Sequence, residues 1–280
     1  MSAAWRTGVL LCAVLHLTAC GGGEGPEAVS TTYDYPDDSQ ACAPRGPAPD
    51  TFHFRTPQGL EVLVRAPANY RMDVRHPLLV VYAGAGMTPT ATERLTGLTP
   101  LATGAGYLVA YPQHVRPSQA ALRKLATIPQ EVATRHCIDD NRISLTGHSD
   151  GGTTATALAV MPHTPFRVAS VVPSAAGFTG QDLAAFACPA PTPVMVFHGV
   201  KDRLFPGWGR EASAWWARCN RCRGANLTLA AGTCRNYLNC AAPTYYCEGP
   251  QGHARWPQDA ARQLTRFIRD APPTDEPSPP

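Results

Sequence analysis

From about residue 50 to 270 the chain alternates short apolar runs with longer segments whose apolar residues recur at helical spacing. Leu60 to Arg65 is read as a half-buried strand. Pro77-Leu78-Leu79-Val80-Val81-Tyr82 and Tyr107-Leu108-Val109-Ala110-Tyr111 are continuous apolar runs, the pattern of strands covered on both faces. Between them Ala91 to Thr103 has helical character and stops at Gly104, so these segments predict a β-α-β unit. The rhythm continues with a helical stretch within Ser118 to Arg135, a strand at Arg142 to Thr146, and a helix from Gly151 to Val160. Strands at Arg167 to Val172 and Pro193 to Phe197 follow, then helices at Arg210 to Arg218 and Pro257 to Arg269. Such alternation predicts an α/β fold with a mostly parallel central sheet and helices on both faces. Residues 219 to 250 carry neither period and many cysteines, so an irregular loop region pinned by disulfides is expected there.

Composition narrows the partners. A hydrophobic share of 44% with 16% charged residues supports one packed core, and 280 residues suit one catalytic-sized α/β domain. The 24 Lys and Arg against 21 Asp and Glu leave only +3, too even for the clustered basic surface that nucleic-acid binding needs. Nucleic acid is therefore not an expected partner. Much of the 28-residue proline complement falls near the two ends, so the folded domain is expected at 41–270, with a disordered Pro-rich tail at 271–280.

The first residues carry one Arg and then an apolar run, Gly8 to Leu17, too short to span a bilayer and of the length of a secretory h-region. Residues 1–19 are read as a signal peptide. Leu17-Thr18-Ala19-Cys20-Gly21 resembles the lipobox of bacterial lipoproteins, which implies lipidation on the Cys20 sulfur. Gly21 to Gln40 then reads as a flexible tether, and the protein as exported and membrane-anchored, facing the periplasm or the cell exterior. Of ten cysteines, Cys12 leaves with the signal peptide and Cys20 is the acyl acceptor. The rest, Cys42, Cys137, Cys188, Cys219, Cys222, Cys234, Cys240 and Cys247, form an even set that reads as disulfides of unassigned pairing. Cys219-x-x-Cys222 also has zinc-ligand spacing, but no second pair matches it, so no metal site is assigned.

One motif carries chemistry above the rest. Ile143-Ser144-Leu145-Thr146-Gly147-His148-Ser149-Asp150-Gly151-Gly152 reads as a strand, a tight Gly-x-Ser-x-Gly turn and a helix, the context in which a nucleophilic serine is held on a strained elbow. A serine needs a base, and the base needs an orienting carboxylate. Strand Pro193 to Phe197 runs into a loop that places Asp202 at the same sheet edge, and Gly249-Pro250-Gln251-Gly252-His253 puts a histidine just before the last helix. Ser149, Asp202 and His253 thus follow in the order nucleophile, acid, base. His148 is expected to point elsewhere, His198 to support the Asp202 loop, and Asp150 to cap the helix behind the elbow. The oxyanion donors are expected to be the backbone N–H of Asp150 and that of Ala85, in the turn Ala83-Gly84-Ala85-Gly86-Met87. Trp208 and Trp256 are candidates for lining a substrate cleft.

Taken together, residues 50–270 resemble the α/β-hydrolase esterases grouped with polyhydroxybutyrate depolymerases and feruloyl esterases. The resemblance rests on the turn from Val81 to Gly86, Cys137-Ile138-Asp139 before the strand into Gly-His-Ser-Asp-Gly-Gly, and Phe197-His198-Gly199 through Asp202 to Pro206. It continues through Trp215 to Cys222 and Gly252-His253 with Trp256-Pro257. Two positions depart from the family pattern: Ala83-Gly84 stands where His-Gly is usual, and one extra residue separates His253 from Trp256-Pro257. The resemblance implies hydrolysis of carboxylic esters, including polymer-attached ones, through an acyl-enzyme and with no cofactor. The chain is expected to act as a monomer. A serine peptidase or acyltransferase on the same fold is the alternative, and a non-catalytic surface-binding lipoprotein is a third reading.

Overall fold

The computed structural model describes residues 51–230 and 234–271. The signal peptide, Cys20, the tether, Cys42 and residues 272–280 of the tail lie outside the described residues. The elements run in the order β1 (Thr51–Arg55), β2 (Glu61–Arg65), β3 (His76–Tyr82), α1 (Pro89–Thr96), α2 (Thr99–Gly104), β4 (Leu108–Pro112), α3 (Gln119–Leu125) and α4 (Ile128–Ala133). After these come β5 (Ile138–His148), α5 (Asp150–Val160), β6 (Ser170–Ser174), α6 (Gly180–Ala184), β7 (Val194–Gly199) and α7 (Trp208–Cys219). The chain closes with β8 (Ala225–Ala230), β9 (Cys234–Tyr237), β10 (Thr244–Gly249) and α8 (Ala260–Asp270).

One ten-stranded sheet runs in the order β1-β2-β4-β3-β5-β6-β7-β10-β9-β8. Its six inner strands, β4 to β10, are parallel, and two antiparallel strands finish each edge. The continuous apolar runs became these inner strands because both faces are covered. Leu78, Val80 and Tyr82 of β3 join one cluster with Leu125, Ile128, Leu158 and Trp216, whereas Leu79 and Val81 join another with Ala102, Leu264 and Ile268. Helices α3, α4, α5 and α7 therefore cover one face, and α2 and α8 the other. The expected mostly parallel α/β architecture is the one observed.

Several local readings change. The helix expected over Ala91 to Thr103 is two helices, because Gly97 takes the left-handed conformation (φ 59°) as a C-cap and Pro100 sits in the first turn of α2. The stretch within Ser118 to Arg135 is likewise two helices, α4 starting afresh with Pro129 in its first turn. Strand β1 and helix α6 were not anticipated. The segment 219–250, expected to be irregular, contains three strands. Cys234 and Cys247 sit directly opposite one another in the β9–β10 ladder and are bridged, with Cα atoms 3.8 Å apart. Cys222–Cys240 and Cys188–Cys219 are also bridged, so the two cysteines of Cys219-x-x-Cys222 go to different partners. Cys137 is disulfide-bonded as well.

Candidate active site

Parallel strands deliver their following loops to one edge of the sheet, so the loops after β5, β7 and β10 meet there. Ser149 follows β5 directly, with φ 56° and ψ −119°, in a region non-glycine residues rarely occupy. Close packing around it explains the flanking glycines: a Cβ on Gly151 would overlap the Tyr82 carbonyl oxygen, and one on Gly152 would lie 2.6 Å from the Ser174 oxygen. The Ser149 N–H donates to the Ser174 carbonyl at 3.0 Å, pinning the turn to β6. Sequence and packing together fix the strained serine at the N-terminus of α5.

Ser149 Oγ lies 2.8 Å from His253 Nε2, and His253 Nδ1 lies 2.8 Å from Asp202 Oδ2. Because a carboxylate only accepts, the Nδ1 atom carries the proton, which leaves Nε2 to accept from the serine hydroxyl. The Asp202 side chain is fully buried, while that of His253 is 18% exposed. Its other oxygen, Oδ1, accepts the N–H groups of Leu204 and Phe205, each at 2.9 Å. Burial works against the Asp202 charge, but the Phe205 amide, the His253 hydrogen bond and the His253 and His198 rings outweigh it and hold the carboxyl below its ordinary range. Asp202 is thus kept ionised and aimed.

His148 does point away from the serine, and its partners give it a definite place. Its Nε2 lies 2.6 Å from the carbonyl oxygen of His253, and its Nδ1 lies 3.0 Å from Ser174 Oγ. The carbonyl can only accept, so Nε2 is the protonated nitrogen and Nδ1 accepts from the Ser174 hydroxyl. Burial, followed by the neighbouring His253, pushes its pKa down to about 4, so this link is made by a neutral imidazole. His198 is buried 3.9 Å from Asp202 Oδ2, beyond hydrogen-bond range, and packs on Gly209 at the start of α7.

Asp150 does not cap α5 through its side chain. It occupies the first helical position, and its Oδ2 pairs with His114 Nε2 at 2.9 Å. The backbone N–H groups of Asp150 and Ala85 donate to no protein acceptor among the described residues, and Ala85 is exposed on the turn after β3. A Cβ on Gly84 would lie 3.2 Å from the His148 oxygen, which shows how closely this turn approaches the elbow.

Several aromatic rings lie close to His253 and His148. Phe205 meets His253 edge-on at 4.8 Å between ring centres and stacks on Trp208 at 4.6 Å, so Trp208 stands one ring removed from the histidine. Phe205 also reaches Gly177 after β6. Trp256 packs against the His148 ring and the core on the α8 face. Val200 and Leu204, on either side of Asp202, are large hydrophobics left 58% and 61% exposed. Among the described residues no cluster of His, Cys, Asp and Glu is arranged to hold a metal ion.

No protein-family model matches the chain, and no curated protein matches it either. Solved structures do. An acetyl xylan esterase from Aspergillus awamori superposes with a TM-score of 0.59 at 13% identity, over 78% of this chain and 99% of that one. An S-formylglutathione hydrolase from Staphylococcus aureus gives 0.57 at 15% identity, over 78% and 97%. An esterase from Thermogutta terrifontis gives 0.54 at 14% identity, over 79% and 93%. At such identities the likeness establishes the fold, which is that of the α/β-hydrolases.

Proposed function

We propose that this α/β-hydrolase-fold protein is a serine hydrolase of carboxylic esters. The observation that carries the reading is the continuous hydrogen-bonded line from Ser149 through His253 to a buried, ionised Asp202. In this mechanism His253 Nε2 takes the Ser149 proton as Oγ attacks the ester carbonyl, and Asp202 stabilises the imidazolium that forms. The Asp150 and Ala85 amides face the oxyanion, aided by the positive end of α5. His253 then gives its proton to the leaving alcohol, and the same steps with water release the acid. The names of the three solved structures, two esterases and an S-formylglutathione hydrolase, support hydrolase chemistry of this kind.

The finer reading is an esterase of the polyhydroxybutyrate-depolymerase or feruloyl-esterase type, supported by the ordered motifs of the sequence and by apolar Val200, Leu204, Phe205 and Trp208 around the site. Export and lipid anchoring through Cys20 complete it, supported by the apolar N-terminal run and by the disulfides. The test is hydrolysis of a panel of p-nitrophenyl and hydroxycinnamoyl esters. Wild-type protein is expected to turn over and to label with a fluorophosphonate at Ser149, Ser149→Ala to do neither, and Asp202→Asn to lose about 10⁴-fold in kcat through the wrong His253 tautomer. Full activity in Ser149→Ala would refute the reading.

A further inference from the structure

We propose that His114 is a positioning residue that clasps the two walls of the oxyanion site together. The inference rests on the reading of Ser149 as nucleophile and of the Asp150 and Ala85 amides as oxyanion donors. Those donors belong to different segments: Asp150 opens α5, whose turns are hydrogen-bonded and buried, whereas Ala85 stands on the short turn between β3 and α1. The turn itself has little to hold it. Ala85 and Gly86 are exposed, Gly86 has φ 70°, and the internal bond is a single one from the Met87 N–H to the Gly84 oxygen at 3.0 Å.

His114, just beyond β4, joins both segments. Its backbone N–H donates to the Met87 carbonyl at 3.2 Å, and its ring Nε2 reaches Asp150 Oδ2 at 2.9 Å. Since a carboxylate accepts, Nε2 is the donor. The two side chains are only 18% and 29% exposed, so water competes weakly for the bond. One residue therefore ties the Ala85 turn, through its backbone, to the first residue of α5, through its ring. The consequence for the reaction is specific. Donor placement matters most when the carbonyl oxygen gains charge, so loosening the clasp lowers turnover more than it weakens ground-state binding.

The experiment measures kcat and KM on p-nitrophenyl acetate for wild-type, His114→Ala, His114→Gln, Asp150→Ala and the His114→Ala/Asp150→Ala pair. Displacing a catalytic group by about 1 Å costs on the order of 10²-fold, so His114→Ala should lose about 10- to 100-fold in kcat with KM within about twofold of wild-type. His114→Gln, whose amide can still donate to Asp150, should recover most of that loss. The double variant should be no worse than the worse single one, because both break the same link. A trifluoromethyl ketone, which mimics the tetrahedral intermediate, should bind His114→Ala more weakly in proportion to the kcat loss. Unchanged kcat, a loss confined to KM, no recovery with Gln, or multiplying losses would overturn the clasp while wild-type remained active. Inactive wild-type protein that also fails to label at Ser149 would instead overturn the underlying hydrolase reading, and the clasp with it. Should His114→Ala not fold, the Gln variant and Asp150→Ala still decide the matter through the same kcat and KM split.

Discussion

The two halves of the site are held in place by different means. On one side, Ser149 is fixed by its own neighbours: glycines that admit the Tyr82 and Ser174 backbones, a hydrogen bond from its N–H to β6, and a buried helix beginning at the next residue. On the other side, His253 stands on a loop whose approach strand, β10, lies between β7 and the short strands β8 and β9, with Cys234–Cys247 riveting β9 to β10. The first half is built from close packing that tolerates no added atom. The second has a tight spot of its own, where a Cβ on Gly199 would lie 2.1 Å from the Gln251 carbonyl oxygen, but it also depends on hydrogen bonds, the His148 link to the His253 carbonyl and covalent bridges. Removing a cross-link should therefore weaken the second half gradually, whereas adding a methyl should break the first outright.

The largest expected effect follows from that contrast. Gly151→Ala puts a Cβ 2.0 Å from the Tyr82 carbonyl oxygen, and its three nearest atoms all belong to the Tyr82–Ala83 backbone, which cannot swing aside as a side chain can, so no folded, soluble protein is expected. Recovery of a folded variant, checked by circular dichroism and melting, would show the elbow to be more pliant than its packing implies. Replacing Cys234 and Cys247 together by Ser should be milder, lowering stability by about 2–5 kcal/mol in denaturant titrations while leaving a folded protein. An unchanged denaturation midpoint would mean that β9 and β10 hold each other without the bridge.

The same division explains what could be seen in the sequence. The inner strands were legible because their apolar runs are unbroken, and the elbow because its glycines, serine and flanking elements are contiguous. Strand β10 was hidden: Thr244-Tyr245-Tyr246-Cys247-Glu248-Gly249 is short, ends in polar residues and lies among cysteines and asparagines that read as loop. Its place beside β7 depends on partners about 50 residues away. Ser149, Asp202 and His253 could be named from chain order, but His114, His148 and Phe205 could not. His114 meets Asp150 across 36 residues and His148 meets His253 across 105, and nothing local in the chain signals either pairing. Only its nearness to Asp202 in sequence marked Phe205, a signal that Leu204 and Trp208 share.

A smaller effect separates the elbow from a distant buried histidine. Burial, with His76 and Arg135 adding to it, pushes the pKa of His136 down to about 4, and His148 is pushed to a similar value. In the unfolded chain both titrate near 6.5. Between those limits the unfolded state binds more protons, so stability is fully present above about pH 6.5 and is lost as pH falls toward 4. Neither ring nitrogen of His136 has a hydrogen-bond partner among the described residues, so His136→Phe should flatten part of this slope without breaking a bond. Denaturation midpoints taken from pH 7 to 4.5 check it, and an unchanged slope in that variant would place the proton uptake elsewhere.

If the proposed mechanism holds, Ser149, driven by His253, becomes covalently acylated. Intact-protein mass spectrometry after rapid acid quench of a p-nitrophenyl ester reaction tests it most directly. Wild-type protein should gain the mass of one acyl group, located by peptide mapping on Ser149, and His253→Ala should show no such adduct on the same timescale. An adduct on any other residue, or equal acylation of Ser149 in His253→Ala, would contradict the account.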